Sequence, residues 1–223
     1  MNERRAVLWD MDGTLIDSEE LHWISWRDTM AKEGFPITHE QFLSTFGQRN
    51  DSILPKWLGS AATPELIEKI GNEKEERYRD LVRRKGITPL PGVATWLQRL
   101  HDQGWFQAIA SAAPRANIDA ILEALSAARF FQAIVAAEDV RKGKPDPEVY
   151  LTAASRVGAS PAKCIVVEDA LAGIEGARRA NMRCIGVSQS GKQLPADVVV
   201  ASLDLLREDA FETLLRGSRS SAH

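Results

Sequence analysis

The sequence predicts an α/β protein: a doubly wound parallel sheet with an all-helical segment inserted after its first strand. Short apolar runs recur at residues 6–9, 108–110, 133–136, 165–167, 184–187 and 198–200. They are apolar throughout rather than alternating, as parallel strands buried on both faces are. Helical stretches separate the later runs, whereas residues 18–88 hold no convincing strand at all. An uninterrupted helical block between the first and second strands of an α/β chain reads as an insertion.

The elements follow in order. The first run, Ala-Val-Leu-Trp at 6–9, stops abruptly at Asp10. Asp17 and Glu20 make an Asp-x-x-Glu start that resembles a capping box. Trp23, Trp26 and Met30 then share a helical stripe, with Gly34 beyond it. Thr38-x-x-Gln41 opens a second helix, and Thr63-Pro64-Glu65 opens a third that runs to Lys85. Pro89-Leu90-Pro91-Gly92 marks the return to α/β texture. Val93, Trp96, Leu97 and Leu100 repeat at helical spacing, closed by Gly104. Asp146-Pro147 reads as an N-cap with proline in the first turn; Tyr150, Ala153, Ala154 and Val157 form its stripe and Gly158 its end. The division expected is a core of residues 1–17 and 89–216, a helical unit of 18–88, and a small, polar, disordered tail of 217–223.

Composition narrows the function. With 223 residues, 44% hydrophobic, the chain can bury a core without disulfide or metal staples. A net charge of −3 and a pI of about 5.9 lack the basic footprint of a nucleic-acid binder, so no nucleic-acid partner is expected. No apolar stretch approaches the ~20 residues that span a bilayer, so no membrane partner is expected either. Cys164 and Cys184 each open an apolar run and read as buried free thiols. The amino end shows no signal-peptide pattern. A cytoplasmic monomer acting on a small phosphorylated metabolite is the expectation. The mixed-sign run Glu73–Arg77 reads mostly as a solvated helix face.

In open parallel sheets ligands gather at the carboxyl ends of the strands. Asp10-Met11-Asp12-Gly13-Thr14 follows the first run, Ser111 the second, and Glu168-Asp169 the fourth, while Lys144 lies beyond the third. Carboxylates, a hydroxyl and an ammonium on one rim suit phosphoryl transfer. Lys144 and Ser111 can hold phosphate oxygens. Asp10, Asp169 and Glu168 offer oxygen ligands to Mg²⁺, a hard cation. Asp10 can attack phosphorus, and Asp12 can protonate the leaving oxygen and then activate the incoming water or alcohol. Taken singly each has a plainer reading: Asp-x-Asp-Gly a turn, Ser111 or Glu168-Asp169 a helix cap, Lys144 a surface residue. Together they fall in order at strand ends across nearly the whole chain.

The sequence resembles the haloacid dehalogenase superfamily of phosphotransferases. Asp10-Met11-Asp12-Gly13-Thr14 is similar to its first motif, Ser111 in Ile109-Ala110-Ser111-Ala112 to its second, Lys144 in Gly143-Lys144-Pro145 to its third, and Val167-Glu168-Asp169-Ala170 to its fourth. The resemblance implies a Rossmann-like core, Asp10 as nucleophile, Asp12 as acid/base, and phosphate held by Ser111, Ala112 and Lys144. It implies Mg²⁺ held by Asp10, the backbone carbonyl of Asp12, and Asp169, with residues 18–88 as a mobile cap. Asp12 is absent from the dehalogenating branch, so dehalogenation is not expected. Within the superfamily the likeness is to β-phosphoglucomutases and similar sugar phosphatases. His22, Arg49 and Lys74 match that mutase's cap residues. Ala113 and Pro114 stand where the mutase pattern has a serine and a lysine that help hold the far phosphate; Arg115 or Asn117 is the available compensation. The expectation is a phosphatase of a small phosphate monoester, with a phosphohexomutase as the alternative and a non-catalytic phosphometabolite-binding module as the third.

Overall fold

The computed structural model describes residues 4–189 and 191–217. The expected tail therefore lies, beyond Gly217, outside the described residues.

The apolar runs become β1 (Ala6–Trp9), β2 (Phe106–Ala110), β3 (Ala133–Val135), β4 (Cys164–Glu168), β5 (Arg183–Val187) and β6 (Val198–Val200). Among the described residues they form one parallel sheet in the order β3-β2-β1-β4-β5-β6. Strand side chains alternate between faces, and here both faces are covered. Val7, Trp9, Ile109, Ile165 and Val167 pack on one side with helices α5 (Val93–Asp102), α6 (Arg115–Leu125) and α9 (Ala210–Arg216). Leu8, Ala108, Ala110 and Val166 pack on the other with α7 (Glu148–Val157) and α8 (Leu171–Arg179). That is why the runs carry no polar alternation.

The order reverses direction between β1 and β4, which pair with Leu8 opposite Val166 and Trp9 opposite Val167. A doubly wound sheet leaves a crevice at that switch point, outside the carboxyl ends of its strands. Asp10 and Asp169 immediately follow the two strands that flank it.

Between β1 and β2 the chain builds α1 (Glu19–Lys32), α2 (His39–Leu43), α3 (Asn50–Leu58) and α4 (Pro64–Lys85). These helices enclose their own apolar cluster of Trp26, Met30, Phe42, Ile53, Leu54, Leu58 and Ile70. Thr38 and Gln41 make the reciprocal capping box their spacing suggests, and Thr63 caps α4 by accepting from the Leu66 N–H. The first helix differs from its expected start. Its N-cap is Ser18, whose hydroxyl caps nothing because it donates to the Asp12 carboxylate at 2.5 Å. Helix α7 likewise starts one residue late: Asp146 accepts from the Glu148 N–H at 3.1 Å, with Pro147 at the cap position. Among the described residues no helix is long and apolar enough to cross a membrane.

Candidate active site

Asp10 sits where β1 ends, its N–H still paired to the Val167 carbonyl of β4. Ladder pairing therefore aims its carboxylate into the crevice. Lys144, from the loop before α7, donates to Asp10 and to Glu168, the latter at 2.5 Å. Glu168 is only 1% exposed. Its carboxylate also accepts from the Tyr150 hydroxyl at 3.0 Å and from the N–H groups of Asp169 and Ala170 at 2.9 and 2.8 Å. Both of its oxygens are thus occupied in holding Lys144 and the loop. Gly173 makes room for it, since a Cβ there would overlap the Glu168 carboxylate. Gly13, at φ +81°, does the same for Asp169, which accepts from the Thr14 hydroxyl at 3.3 Å.

Charge is unbalanced here. Burial pushes the Asp10 carboxyl well above its ordinary range; Lys144 pulls it down, while Glu168 and Asp169 add to the rise. Burial and then Glu168 push Asp169 to about 7. Burial would lower the Lys144 ammonium, but Asp10 and Glu168 outweigh it and hold the side chain protonated. Oxygen ligands of Asp10, Glu168 and Asp169 lie within 4.8 Å of one another. Clustered carboxylates with one ammonium among them are short of positive charge, and their donors are all oxygen, which fits Mg²⁺.

Asp12 faces the helical insert. Beyond Ser18 it meets His22 of α1, whose Nε2 lies 3.4 Å away. Lys74 of α4 reaches the other ring nitrogen, Nδ1, at 2.9 Å. An ammonium can only donate, so Nδ1 accepts and Nε2 carries the proton that faces Asp12. Burial, then the Lys74 charge, keep His22 below its usual pKa. The ring stacks on Tyr78, centroids 3.9 Å apart. Burial alone would raise Asp12, but hydrogen bonding and charge from His22, then Ser18 and Lys74, bring it below the usual carboxylate range.

A cavity of about 580 Å³ opens between the insert and the sheet edge. Asp12, His22, Arg49, Lys74, Ala112 and Asn117 all line it. Ser111 is buried beside it, its oxygen accepting the Ala113 N–H at 3.0 Å. Arg49 bonds Asp51 and crosses to the Ala137 carbonyl at 3.1 Å. Arg115 is not among the lining residues; its guanidinium pairs with Asp119 one helical turn on. Asn117 does face the cavity, donating to Glu75 at 2.5 Å and accepting from Arg79 at 3.0 Å.

Sequence reasoning missed Glu75, Arg79, Ser18 and Tyr150. Glu75 and Lys74 lie within the charge run read mostly as solvated, yet both are buried. Glu75 accepts from Asn50 at 2.7 Å and from Lys74 at 2.9 Å, and so ties α3, α4 and α6 together. Tyr150 looked like one more member of an apolar stripe. A residue-level signal was available only for Arg79, which repeats one turn after Glu75.

The haloacid dehalogenase-like hydrolase family matches residues 7–187. β-Phosphoglucomutase of Bacillus subtilis is 32% identical, over 96% of this chain and 99% of that one. Fructose-1-phosphate phosphatase YqaB of Escherichia coli is 32% identical over 84% and 98%. The crystal structure of a CbbY variant from Rhodobacter sphaeroides, in complex with xylulose-(1,5)bisphosphate, superposes with a TM-score of 0.82 at 27% identity, covering 91% of this chain and 96% of that one. With the fold, the strand-end motifs and these likenesses in agreement, the chain belongs to the haloacid dehalogenase-like hydrolases, in their β-phosphoglucomutase-like branch, and is an enzyme of phosphoryl transfer.

Proposed function

We propose that the protein is a Mg²⁺-dependent phosphatase that hydrolyses a small phosphate monoester, a sugar phosphate, through an aspartyl-phosphate on Asp10. The observation that carries this reading is Lys144 joined to both Asp10 and Glu168 at the switch point, with Asp12 turned toward the cavity. Lys144, the Ser111 hydroxyl and the backbone at Ala112 receive the phosphate. Asp10 attacks phosphorus and displaces the sugar oxygen, which takes a proton from Asp12. Asp12 then takes a proton from water as that water attacks the phosphoryl group and frees Asp10. At rest, against the effect of burial, His22, Ser18 and Lys74 hold Asp12 below the usual carboxylate range. An arriving phosphate raises its pKa, so that it takes up from solvent the proton that it gives to the sugar oxygen, and the proton that it takes from water in the second step leaves with the products.

Mg²⁺, held by Asp10, Asp169 and the Asp12 carbonyl, would offset the negative charge that a carboxylate and a phosphate bring together. Residues 18–88 act as the cap, and the Arg49 bond to the Ala137 carbonyl and the Glu75 and Arg79 bonds to Asn117 are contacts of its closed position. Closure excludes water from all but the productive path.

Isomerisation is the second reading, favoured by one observation: His22 and Lys74 form a hydrogen-bonded chain onto Asp12. One experiment separates the two. The enzyme is given β-glucose 1-phosphate with catalytic glucose 1,6-bisphosphate and Mg²⁺. Free phosphate supports hydrolysis, and accumulation of glucose 6-phosphate without it overturns that reading in favour of the mutase. A second arm screens phosphate release over sugar and sugar-alcohol phosphates with wild-type enzyme and Asp10→Asn. Release from none of them, or release undiminished by Asp10→Asn, refutes the proposal.

A further inference from the structure

The polar groups buried between the helical insert and the sheet form a chain. Asp12 faces His22 across 3.4 Å, His22 meets Lys74 at 2.9 Å, and Lys74 meets Glu75 at 2.9 Å. Lys74 and Glu75 are only 2% and 7% exposed, so water does little to hold the Lys74 charge. Its other neighbours are uncharged faces: the Trp26 ring lies 4.9 Å from Nζ and the Tyr78 ring 5.5 Å. The carboxylate paired with it is Glu75.

Glu75 is itself fixed from three helices. Its Oε1 accepts from Lys74 of α4 and from Asn50 of α3 at 2.7 Å, and its Oε2 from Asn117 of α6 at 2.5 Å. Arg79 donates to the Asn117 oxygen, so the amide nitrogen is the end turned to Glu75. Burial would raise the Glu75 carboxyl, but Lys74, then His22 and the two amides, bring it below its ordinary range. The anion is held where Lys74 needs it.

The consequence falls on His22. Held below its usual pKa by burial and then by Lys74, the ring is neutral at neutral pH and carries one proton, on either nitrogen. While Lys74 is an ammonium, Nδ1 has to accept, because an ammonium has no lone pair to offer. The proton is then on Nε2, the atom that faces Asp12. Without the Glu75 charge the buried ammonium loses its counter-ion, and burial favours the neutral amine. An amine accepts as well as donates. The ring is then free to move its proton to Nδ1 and turn a lone pair, not an N–H, toward Asp12.

We propose that Glu75 is a positioning residue for the proton chemistry of Asp12: by keeping Lys74 an ammonium, it fixes the His22 tautomer that donates to the Asp12 carboxylate. Glu75 acts through Lys74 and His22, not on the reacting atoms. The proposal rests on the phosphatase reading for the role of Asp12, but not for the tautomer.

The tautomer is read by nitrogen-15 NMR of the full-length, histidine-labelled protein at neutral pH, in which protonated and bare ring nitrogens resonate far apart. His22→Gln identifies the His22 signals. Wild type should show the proton on Nε2 and a bare Nδ1. Glu75→Gln should move population to the Nδ1–H form. It should also lower kcat for phosphate release by about tenfold, the contribution of one hydrogen bond to a charged group, with less effect on KM. Glu75→Asp keeps the charge, and should keep the Nε2 proton and recover most of kcat. If Glu75→Gln does not fold, Lys74→Met makes the same test, because it removes the ammonium and its need for a counter-ion together. A wild-type ring protonated on Nδ1, or on both nitrogens, overturns the proposal. So does a tautomer unmoved by Glu75→Gln and Lys74→Met, or a Glu75→Asp protein as impaired as Glu75→Gln. A tautomer released with kcat unchanged overturns the positioning role and leaves the phosphatase reading standing. Wild-type protein that releases phosphate from no sugar phosphate refutes the phosphatase reading, while the spectra still decide what Glu75 does to His22.

Discussion

Replacing Gly173 by alanine tests how the site is held without touching a substrate-facing group. In an ordinary helix the change stabilises by about 0.8–1.0 kcal/mol, because alanine loses less chain entropy. Helix α8 reverses the sign. A Cβ at 173 would overlap the carboxylate of Glu168. Glu168 must move, and it accepts from Lys144, the Tyr150 hydroxyl and the N–H groups of Asp169 and Ala170. A hydrogen bond to a charged group contributes about 1.5–3 kcal/mol. Losing two of them outweighs the helix gain and leaves a net destabilisation of about 2–5 kcal/mol. Lys144 loses an anchor at the same time, so turnover should fall by about tenfold or more, the equivalent of ~1.4 kcal/mol of barrier. The assay is urea denaturation and steady-state phosphate release, with Gly71→Ala as control. At Gly71 a Cβ would find nothing nearer than the Asn50 amide at 3.7 Å, so that variant should be as stable as wild type or more so. If Gly173→Ala matches Gly71→Ala in stability and keeps full turnover, Glu168 does not hold the site together as described.

Other perturbations act on single roles. Asp12→Asn keeps the shape but cannot exchange the proton, and should lower kcat by about 10²–10⁴ with most substrates while leaving KM near its original value; an unaltered kcat would remove Asp12 from the proton path. Mg²⁺ should raise the thermal midpoint of the protein and chelation reverse it, with a gain of about 2.7 kcal/mol at a hundredfold excess over Kd; Asp169→Asn should abolish most of that shift, and a shift of full size in the variant would place the ion elsewhere. Asn117→Ala removes a partner of Glu75 and of Arg79, each across the boundary between the helical insert and the sheet. It should cost about 1–3 kcal/mol in denaturation and raise KM more than it lowers kcat; an unchanged KM would deny that boundary a part in substrate capture.

Much of the fold was legible because its signal is local. A run with no polar alternation reports burial on both faces, and β1, β4 and β5 are each buried nearly throughout. A strand that stops at an aspartate also marks the edge where ligands gather, so the sequence alone leads one to expect Asp10, Ser111 and Asp169 on one rim. What stayed hidden depends on partners distant in sequence. Ser18 reads as part of a helix start, yet its hydroxyl turns to Asp12. Glu75 reads as one charge in a solvated run, yet Asn117 and Asn50 draw it inward. Periodicity says which face of α4 is apolar, not which neighbours cover its polar edge. Arg115, a candidate for the substrate end of the cavity, has Asp119 within one helical turn, and that local pair directs it outward. Tyr150 fits its apolar stripe in both accounts; only the three-dimensional position of Glu168 reveals that its hydroxyl has a task.

The account depends on a covalent bond forming between phosphorus and the side chain that ends β1. Turnover with a hydrolysed sugar phosphate and Mg²⁺ can be quenched in acid, the acyl phosphate reduced with borohydride, and the peptides read by mass spectrometry. Reduction should appear at Asp10, only when substrate and Mg²⁺ are both present, and at neither Asp12 nor Asp169. Steady turnover with Asp10 unlabelled, or with the label on another carboxylate, would contradict it.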